Sequence, residues 1–182
     1  MAQQENLKTS AQRAQAIERM IRVNHAGEFG AKRIYAGQLA VMGDRTPAAR
    51  SIAHMAEQEE RHLSAFDKMM TERGVRPTAL HPVWNVAGFA LGAVSAAIGP
   101  EAAMACTVAV ETEIDRHYSE QLAEIGDSDP ELSAMIADFQ ADELEHKATA
   151  LEQGAERAPA YPLLSALVRM GCRTAIAVSK HI

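Results

Sequence analysis

The sequence predicts an all-α protein, a four-helix bundle with additional apolar or amphipathic helices. Hydrophobic residues make up 47% of the 182 residues and aromatic residues only 4%. Alanine, methionine, leucine and glutamate are abundant, and these residues favour helices, whereas strands draw on β-branched and aromatic side chains. No segment alternates between apolar and polar residues for long enough to predict a strand. Because this length suits one domain with a sizeable core, we expect residues 1–182 to form a single domain.

Glycine and proline residues divide the chain into helical blocks. Thr46 and Asp129 are each followed by a proline (Pro47 and Pro130), which is typical of an N-cap and the first turn of a helix. A longer connection between the second and third core helices indicates a bundle with a crossover. The core helices are predicted at about 11–42, 47–73, 100–125 and 130–153.

Two further segments, at about 83–98 and 162–181, are apolar or amphipathic. Residues 86–98 form a 13-residue apolar stretch interrupted only by Ser95. That is short of the roughly 20 residues that span a bilayer, so we expect an interfacial segment. The second segment combines an apolar face with basic residues in a chain of net charge −6, which favours contact with an anionic membrane surface. The alternative is a fifth helix packed on the bundle or in a dimer interface.

Charge and cysteine content exclude several classes of protein. The acidic balance does not suggest a nucleic-acid partner. Cys106 and Cys172 lie in apolar surroundings without a spaced partner, which indicates core thiols in a reducing compartment. The N-terminus has no apolar signal core and carries early acidic residues, so we expect residence on the cytoplasmic side.

The candidate chemistry begins with two Glu-x-x-His motifs, Glu59 with His62 and Glu143 with His146. Residues three apart lie on one face of a helix, so the carboxylate and the imidazole can approach the same ion. Alone the motif is weak, because it arises by chance in a glutamate-rich chain. Its position is what makes it informative.

Each predicted core helix places one carboxylate in the middle of its apolar stripe. Glu28 precedes Glu59 by 31 residues and Glu111 precedes Glu143 by 32, so the chain divides into two similar helix pairs. The stripes read Ile17, Ile21, Asn24, Glu28, Tyr35 and Met42; Ile52, Met55, Glu59, His62, Phe66 and Met69; Met104, Val108, Glu111, Ile114, Tyr118, Leu122 and Ile125; and Leu132, Met135, Ile136, Phe139, Glu143, His146 and Leu151.

Four ionised carboxylates in one core would be very costly without compensation. Two ferrous ions supply four positive charges against these four negative charges, with two neutral imidazoles as nitrogen ligands. Oxygen-rich ligands with only two histidines favour iron or manganese over a structural zinc site. A single glutamate in an apolar stripe usually reaches solvent at the edge, but all four would have to do so together. The predicted metal ligands are Glu28, Glu59, His62, Glu111, Glu143 and His146.

Four segments resemble the demethoxyubiquinone hydroxylase family of the ferritin-like superfamily. They are IRVNHAGEFGAKRIYAGQLAV, MAEQEERHLSAF, ACTVAVETEIDRHYSEQL and FQADELEHKATAL, and the resemblance extends from Glu18 onward. It implies a ferritin-like bundle in which Glu59 and Glu143 bridge two irons. It also implies electron or proton delivery by His117 and Tyr118, for which a packed core tyrosine is the alternative.

The resemblance implies an O2-dependent di-iron monooxygenase that hydroxylates the ring of demethoxyubiquinol in ubiquinone biosynthesis. A polyprenyl quinol resides in the bilayer, so we expect peripheral attachment to the cytoplasmic face of the inner membrane. We also expect a homo-oligomer or a complex with other ubiquinone-biosynthesis proteins. No Gly-x-Gly-x-x-Gly or Walker loop occurs, so an external reductant must supply electrons. Gly27 and Gly30 beside Glu28 suggest close helix packing or, as the second choice, room for the substrate ring.

Three other functions remain compatible with these residues. A ferritin-type ferroxidase or iron-binding protein would use the same ligands but would leave the two extra segments without a purpose. A dimanganese catalase or peroxidase would rapidly disproportionate peroxide with manganese bound. A structural membrane-assembly protein with a vestigial site would not affect the quinone composition of cells.

Overall fold

The computed structural model describes the backbone of residues 2–180 and the side chains of residues 10–180. Within these residues the chain is helical and has no strand, which confirms the predicted all-α class. The helices are α1 (Ala2–Met42), α2 (Pro47–Arg73), α3 (His81–Ile98), α4 (Pro100–Ile125), α5 (Pro130–Glu152) and α6 (Tyr161–Ser179), and short 3₁₀ turns occupy Gly126–Ser128 and Ala155–Arg157.

The predicted caps of α2 and α5 are confirmed. Thr46 Oγ1 accepts a hydrogen bond from the Ala49 backbone N–H at 3.1 Å, and Asp129 Oδ1 accepts one from that of Leu132 at 3.1 Å. Each bond satisfies one of the free N–H groups of the first helical turn. Gly74 then ends α2 in the left-handed conformation, with φ +66°.

Three helices begin earlier than the sequence predicted. The first starts at Ala2 rather than near residue 11, since no glycine or proline interrupts those residues. Helices α3 and α6 begin at His81 and Tyr161, just before the predicted starts at about 83 and 162, so Pro82 and Pro162 both lie in the first helical turn. A proline is tolerated there because its missing N–H would be unbonded in any case.

The four long helices form the bundle, and α3 and α6 cover one side of it. Helix α1 packs on α2 and α4 packs on α5, while α3 lies along α1 and α6 lies along α4. The predicted stripes are largely buried. One exception is Leu151, which is 38% exposed, because the adjacent Ala150 occupies the inward position instead.

Two apolar clusters of the core are separated by a polar layer, and a third, which includes Ile34 and Cys106, joins α1, α4 and α6. One cluster includes Met55 and Met104 at one end of the bundle, and the other includes Phe66 and Leu132 at the other end. Along each long helix the predicted carboxylate lies between residues of these two clusters. The polar layer is therefore enclosed by apolar side chains from both ends.

Helices α1 and α3 touch backbone to backbone at glycines. A Cβ on Gly92 would overlap the carbonyl oxygen of Ile34, and a Cβ on Gly37 would overlap that of Phe89. By contrast, no atom of another described helix lies within 4 Å of a Cβ placed on Gly27 or Gly30. A side chain at either position would thus meet no neighbouring helix, although the carbonyl oxygen of Gly30 lies 3.0 Å from the Cβ position of Gly88 on α3.

Replacing Gly92 with alanine is expected to lower the free energy of unfolding by about 1–3 kcal/mol, because the added methyl group forces α3 away from α1. Gly27→Ala is the matched control, and its better helix propensity should raise stability by up to about 1 kcal/mol. Urea denaturation of both variants measures the difference. Similar effects in the two variants would contradict this account of the α1–α3 contact.

Glu113 of α4 is fully buried and attaches α6 to the bundle. Its carboxylate accepts hydrogen bonds from the Nε atoms of Arg169 at 2.6 Å, Arg173 at 2.9 Å and Arg116 at 3.0 Å. From the sequence, the basic residues of this segment were expected to face an anionic membrane. Arg169 and Arg173 bind this internal carboxylate while 40% and 53% of their side chains stay exposed, and α6 packs along α4. Contact of α6 with a membrane stays a prediction.

Burial alone would raise the pKa of Glu113, but hydrogen bonds from Arg173, Arg169 and Arg116 lower it to about 2. The ionised carboxylate therefore stabilises the fold above its ordinary pKa, and this contribution is lost as pH falls towards 2. We expect Glu113→Gln to be about 2 kcal/mol less stable at pH 7. The gap between the variant and wild type should narrow below about pH 4.5, as urea denaturation at several pH values would show. A stability difference between the variant and wild type that does not change with pH would refute this role of Glu113.

Helix α3 has the length and composition of a membrane-spanning segment, since it has 18 apolar-rich residues of which only 22% are buried in the fold. It begins two residues before the segment that was predicted at about 83–98. Length and apolar character are weak evidence of spanning when only one helix in residues 2–180 has them. Its packing along α1 is the contact that the structure shows.

Candidate metal centre

The polar layer brings together the side chains that the sequence selected as metal ligands. Their six residues are each no more than 1% exposed. Ligand atoms from Glu28, Glu59, His62 and Glu143 lie within 4.8 Å of one another, as do ligand atoms from Glu59, Glu111, Glu143 and His146. Glu59 and Glu143 belong to both groups. The arrangement could thus hold two neighbouring cations, with these two carboxylates between them.

The two histidines point the same ring nitrogen at the centre. His62 Nδ1 lies 3.2 Å from a carboxylate oxygen of Glu143 and 3.3 Å from one of Glu28. His146 Nδ1 lies 3.1 Å from the other oxygen of Glu143 and 3.5 Å from Glu59. Each Nε2 faces outward to a hydrogen-bond acceptor. With the proton on Nε2, each Nδ1 offers a lone pair to a cation.

Several buried oxygens in the centre lack a hydrogen-bond donor. Both oxygens of Glu59, Oε2 of Glu111 and Oε1 of Glu143 have no partner among the described residues. Leaving such groups unsatisfied costs about 1–3 kcal/mol each, and more for charged groups. Divalent cations would supply the missing partners, so the donor set fits a metal pair.

The electrostatics describe the protein without bound metal. Burial, reinforced by the charge of Glu143, raises the pKa of Glu59 and of Glu111 well above the usual range. Burial also opposes ionisation of Glu143, but its contacts with His146 and His62 lower its pKa to about 2. Burial would lower the pKa of His62, yet its contacts with Glu143 and Glu28 raise it to about 10. Protons therefore partly neutralise this cluster, and a cation would have to displace them.

Two tyrosines bind the carboxylates that lie outside the Glu-x-x-His motifs. The Tyr118 hydroxyl on α4 donates to Glu28 on α1, and the Tyr35 hydroxyl on α1 donates to Glu111 on α4 at 2.6 Å. Burial raises the pKa of both tyrosines well above the ordinary value, so both keep their protons.

Tyr35 was not predicted as a site residue, although a signal for it exists in the sequence. Each tyrosine follows a candidate ligand by seven residues, Tyr35 after Glu28 and Tyr118 after Glu111. Seven residues are two helical turns, so each tyrosine lies on the inward face of its helix. Each reaches across to the carboxylate of the other helix.

His117 does not join the cluster. Gln121 donates to its Nε2 at 2.8 Å and also exchanges hydrogen bonds with Asn24 of α1. Burial and the charge of Lys180 lower the pKa of His117 to about 4, so it is neutral at pH 7. It borders a separate cavity of about 250 Å³ at the α1–α4 surface. The predicted pair is thus divided, with Tyr118 at the cluster and His117 at the cavity.

Comparison with known proteins places this arrangement among quinone-modifying enzymes. Residues 15–179 match the family described as Ubiquinone biosynthesis protein COQ7. A Rhodospirillum rubrum protein named 3-demethoxyubiquinol 3-hydroxylase is 49% identical over 169 residues, which cover 93% of this chain and 80% of the relative. A Mus musculus protein named NADPH-dependent 3-demethoxyubiquinone 3-hydroxylase, mitochondrial, is 52% identical over 170 residues, 91% of this chain and 78% of the relative. The matched range, residues 15–179, contains all six candidate metal ligands.

Proposed function

The chain belongs to the Ubiquinone biosynthesis protein COQ7 family, and on that premise we propose that it hydroxylates the ring of a demethoxyubiquinol at a di-iron centre. One observation carries the proposal: six buried side chains converge, and four of their carboxylate oxygens lack partners among the described residues. The relatives are named as hydroxylases of this ring. A carboxylate-rich centre explains why such an enzyme would carry these ligands.

Each residue of the centre has a proposed task. Glu59 and Glu143, which belong to both groups, would bridge the two irons, and Glu28 and Glu111 would each bind one iron. When bound, the iron pair supplies the activation of O2 for oxygen insertion. Tyr118 and Tyr35 hold the two single carboxylates in position by hydrogen bonds. The apolar clusters on both sides of the layer exclude water from the reacting ring.

The space beside Gly27 and Gly30 is the proposed position of the substrate ring. Neither glycine has another described helix within 4 Å of its Cβ position, and both flank Glu28 on α1. Side chains at these positions would project into that space. The structure thereby supports the second of the two explanations considered for these glycines.

The quinol tail requires contact with a bilayer, for which we propose an apolar outer surface on α3 and α6. This surface consists of Val83, Val86, Val94, Ile98, Leu163, Leu167 and Met170, each at least half exposed. Both helices cover the α1–α4 side of the bundle, so the surface is presented on that side. Attachment would rest on these apolar residues rather than on Arg169 and Arg173. We propose a peripheral position on the cytoplasmic face of the inner membrane.

Electrons must come from an external reductant, and we propose that Tyr118 and His117 deliver them or the accompanying proton. The Tyr118 hydroxyl donates a hydrogen bond to Glu28 of the centre. His117, the preceding residue, borders the cavity at the α1–α4 surface. The Mus musculus relative is named as NADPH-dependent. NADPH is therefore the donor to test first.

Tyr118→Phe is expected to slow NADPH-supported hydroxylation by about 100-fold or more, because a proton-transfer group would be lost. Tyr35→Phe is the matched control, since it too removes one hydroxyl bound to a single carboxylate. Each variant should lose about 1 kcal/mol of stability from the missing bond. The rates of product formation by the two variants and wild type, at the same NADPH concentration, test this expectation. Equal slowing in both variants would assign the tyrosines a positioning role alone.

The experiment that tests the function is quinone profiling. A bacterial strain lacking its own demethoxyubiquinol hydroxylase accumulates the demethoxy precursor, and we expect this chain to restore ubiquinone. A ferroxidase would leave the precursor in place and would accumulate far more than two irons per chain. Metal analysis of the purified protein separates these outcomes, with two irons per chain expected.

A further inference from the structure

The candidate centre is built from two nearly equivalent halves. Each half has one glutamate from a Glu-x-x-His motif, its histidine, and one glutamate held by a tyrosine. We define the His62 subsite as Glu28, Glu59, His62 and Glu143, and the His146 subsite as Glu59, Glu111, Glu143 and His146. The inward-facing ligand types of the two subsites are identical. A difference between them must therefore come from their surroundings.

The outward nitrogens of the two histidines meet different acceptors. His62 Nε2 lies 2.9 Å from Oδ2 of Asp142, whereas His146 Nε2 lies 3.0 Å from Oε1 of Gln58. Asp142 directly precedes Glu143, and Gln58 directly precedes Glu59. The two acceptors thus occupy matching positions in the two motifs, and each reaches across to the other helix. One is a carboxylate and the other is a neutral amide.

The two acceptors also differ in their enclosure. Arg61 donates to Asp142 and to Asp138, and the ring of Phe139 stacks on His62 with centroids 4.0 Å apart. His146 and Gln58 instead line a cavity of about 380 Å³ between α2 and α5. Water can approach the outer side of His146 through this cavity, while the outer side of His62 is covered.

A carboxylate that accepts the outer N–H of a metal-bound histidine makes the imidazole a stronger donor to the metal. An amide acceptor does so less, because it carries no net charge. Arg61 reduces the charge effect of Asp142, but its side chain is 51% exposed and water screens it. Partners of this kind typically change metal affinity by about 10- to 100-fold.

We infer that the two subsites bind metal unequally, with the His62 subsite holding its ion more tightly and the His146 subsite exchanging its ion through the α2–α5 cavity. Asp142 and Gln58 are the positioning residues that set this difference. The inference rests on the proposed metal centre. It concerns the order and strength of loading, which hydroxylation activity alone does not report.

Anaerobic titration of the metal-free protein with Co(II), followed by visible absorption, tests the inference. Wild type should bind two ions in two steps that differ by at least about tenfold in affinity. Asp142→Asn should weaken the tighter step by about 10- to 100-fold, and Gln58→Glu should strengthen the weaker step. Asp138→Asn is the matched control, because Asp138 shares Arg61 but does not touch His62. It should leave both steps unchanged.

The outcomes distinguish this inference from the function on which it rests. Two equal steps in wild type, or a weaker step that responds to Asp142→Asn, would overturn the inference and leave the di-iron proposal intact. Binding of fewer than two ions by wild type would overturn the centre itself. If Asp142→Asn fails to fold, Gln58→Glu decides alone, since a merely structural role would not strengthen one step.

Discussion

Replacing Glu143 with alanine is expected to abolish both metal binding and hydroxylation. Glu143 belongs to both ligand groups, and its two oxygens approach the Nδ1 atoms of His62 and His146 at 3.2 and 3.1 Å. Its loss removes a ligand from each subsite and leaves two histidines without their shared acceptor. The activity should fall by more than the 10- to 100-fold range that is typical when a residue behind a ligand is changed.

Three measurements on the Glu143→Ala variant test this expectation. Metal analysis should find far fewer than two irons per chain, and product formation in vitro should be at background. Cells that carry the variant should accumulate the demethoxy precursor. Glu152→Ala, at the exposed end of the same helix, is the control and should behave as wild type. A variant that still binds two irons and restores ubiquinone would exclude this carboxylate from the centre.

The periodicity of the sequence was sufficient to predict which helix faces meet. In α2 all six residues of the predicted stripe are buried, from Ile52 to Met69. Glutamate and histidine stand out in such a stripe because burial without a partner is costly. The same logic selected all six side chains that converge, although ligand roles remain a prediction. Leu151 was wrongly predicted to be buried because it lies beyond His146, where no further polar residue marks the inward face of α5.

Contacts between helices could not be read from the sequence. The bonds from Tyr35 to Glu111 and from Tyr118 to Glu28 depend on how α1 and α4 face each other. Likewise, the arginines of α6 could have faced a membrane or an internal carboxylate, and composition does not distinguish these. The rotation of α3 about its axis relative to α1 determines that Gly92, and not Gly27, lies where the two helix backbones touch. These features follow from packing geometry, which a residue pattern leaves open.

Prolines mark the starts of α3 and α6 in the same way as those of α2 and α5. Pro47 and Pro130 were correctly predicted in first turns, whereas the segment predicted at about 83–98 left Pro82 outside it and the one at about 162–181 began at Pro162. All four prolines lie within the first two positions of a helix. The difference lengthens α3 to 18 residues, which is enough to change how its apolar surface is interpreted.

Replacing Glu59 with methionine is expected to stabilise the metal-free protein while removing its response to metal. Both oxygens of Glu59 are buried without a partner among the described side chains. Burial and the neighbouring Glu143 carboxylate raise its pKa, which means that the fold disfavours the ionised form. Replacing a buried acid that lacks hydrogen-bond partners with an apolar side chain of similar volume removes its desolvation cost, which is about 1–3 kcal/mol.

Wild type should behave in the opposite way when iron is added. Ligand binding to the folded state stabilises it by about 4 kcal/mol at a thousandfold excess over the dissociation constant. The Glu59→Met variant lacks a residue shared by both subsites, so its unfolding midpoint should barely move under the same Fe(II) concentration. Anaerobic thermal unfolding with and without Fe(II) measures both effects. Glu60→Met, on the exposed side of the same turn, serves as the control and should retain the metal response.

This pair of effects separates a metal centre from an ordinary buried ion cluster. In a cluster that served stability, loss of Glu59 would weaken the protein and metal would be irrelevant. In a centre that awaits cations, the carboxylates oppose folding until metal arrives, so stability and metal binding change in opposite directions. A destabilised Glu59→Met protein that still responds to Fe(II) as wild type does would contradict the proposed centre directly.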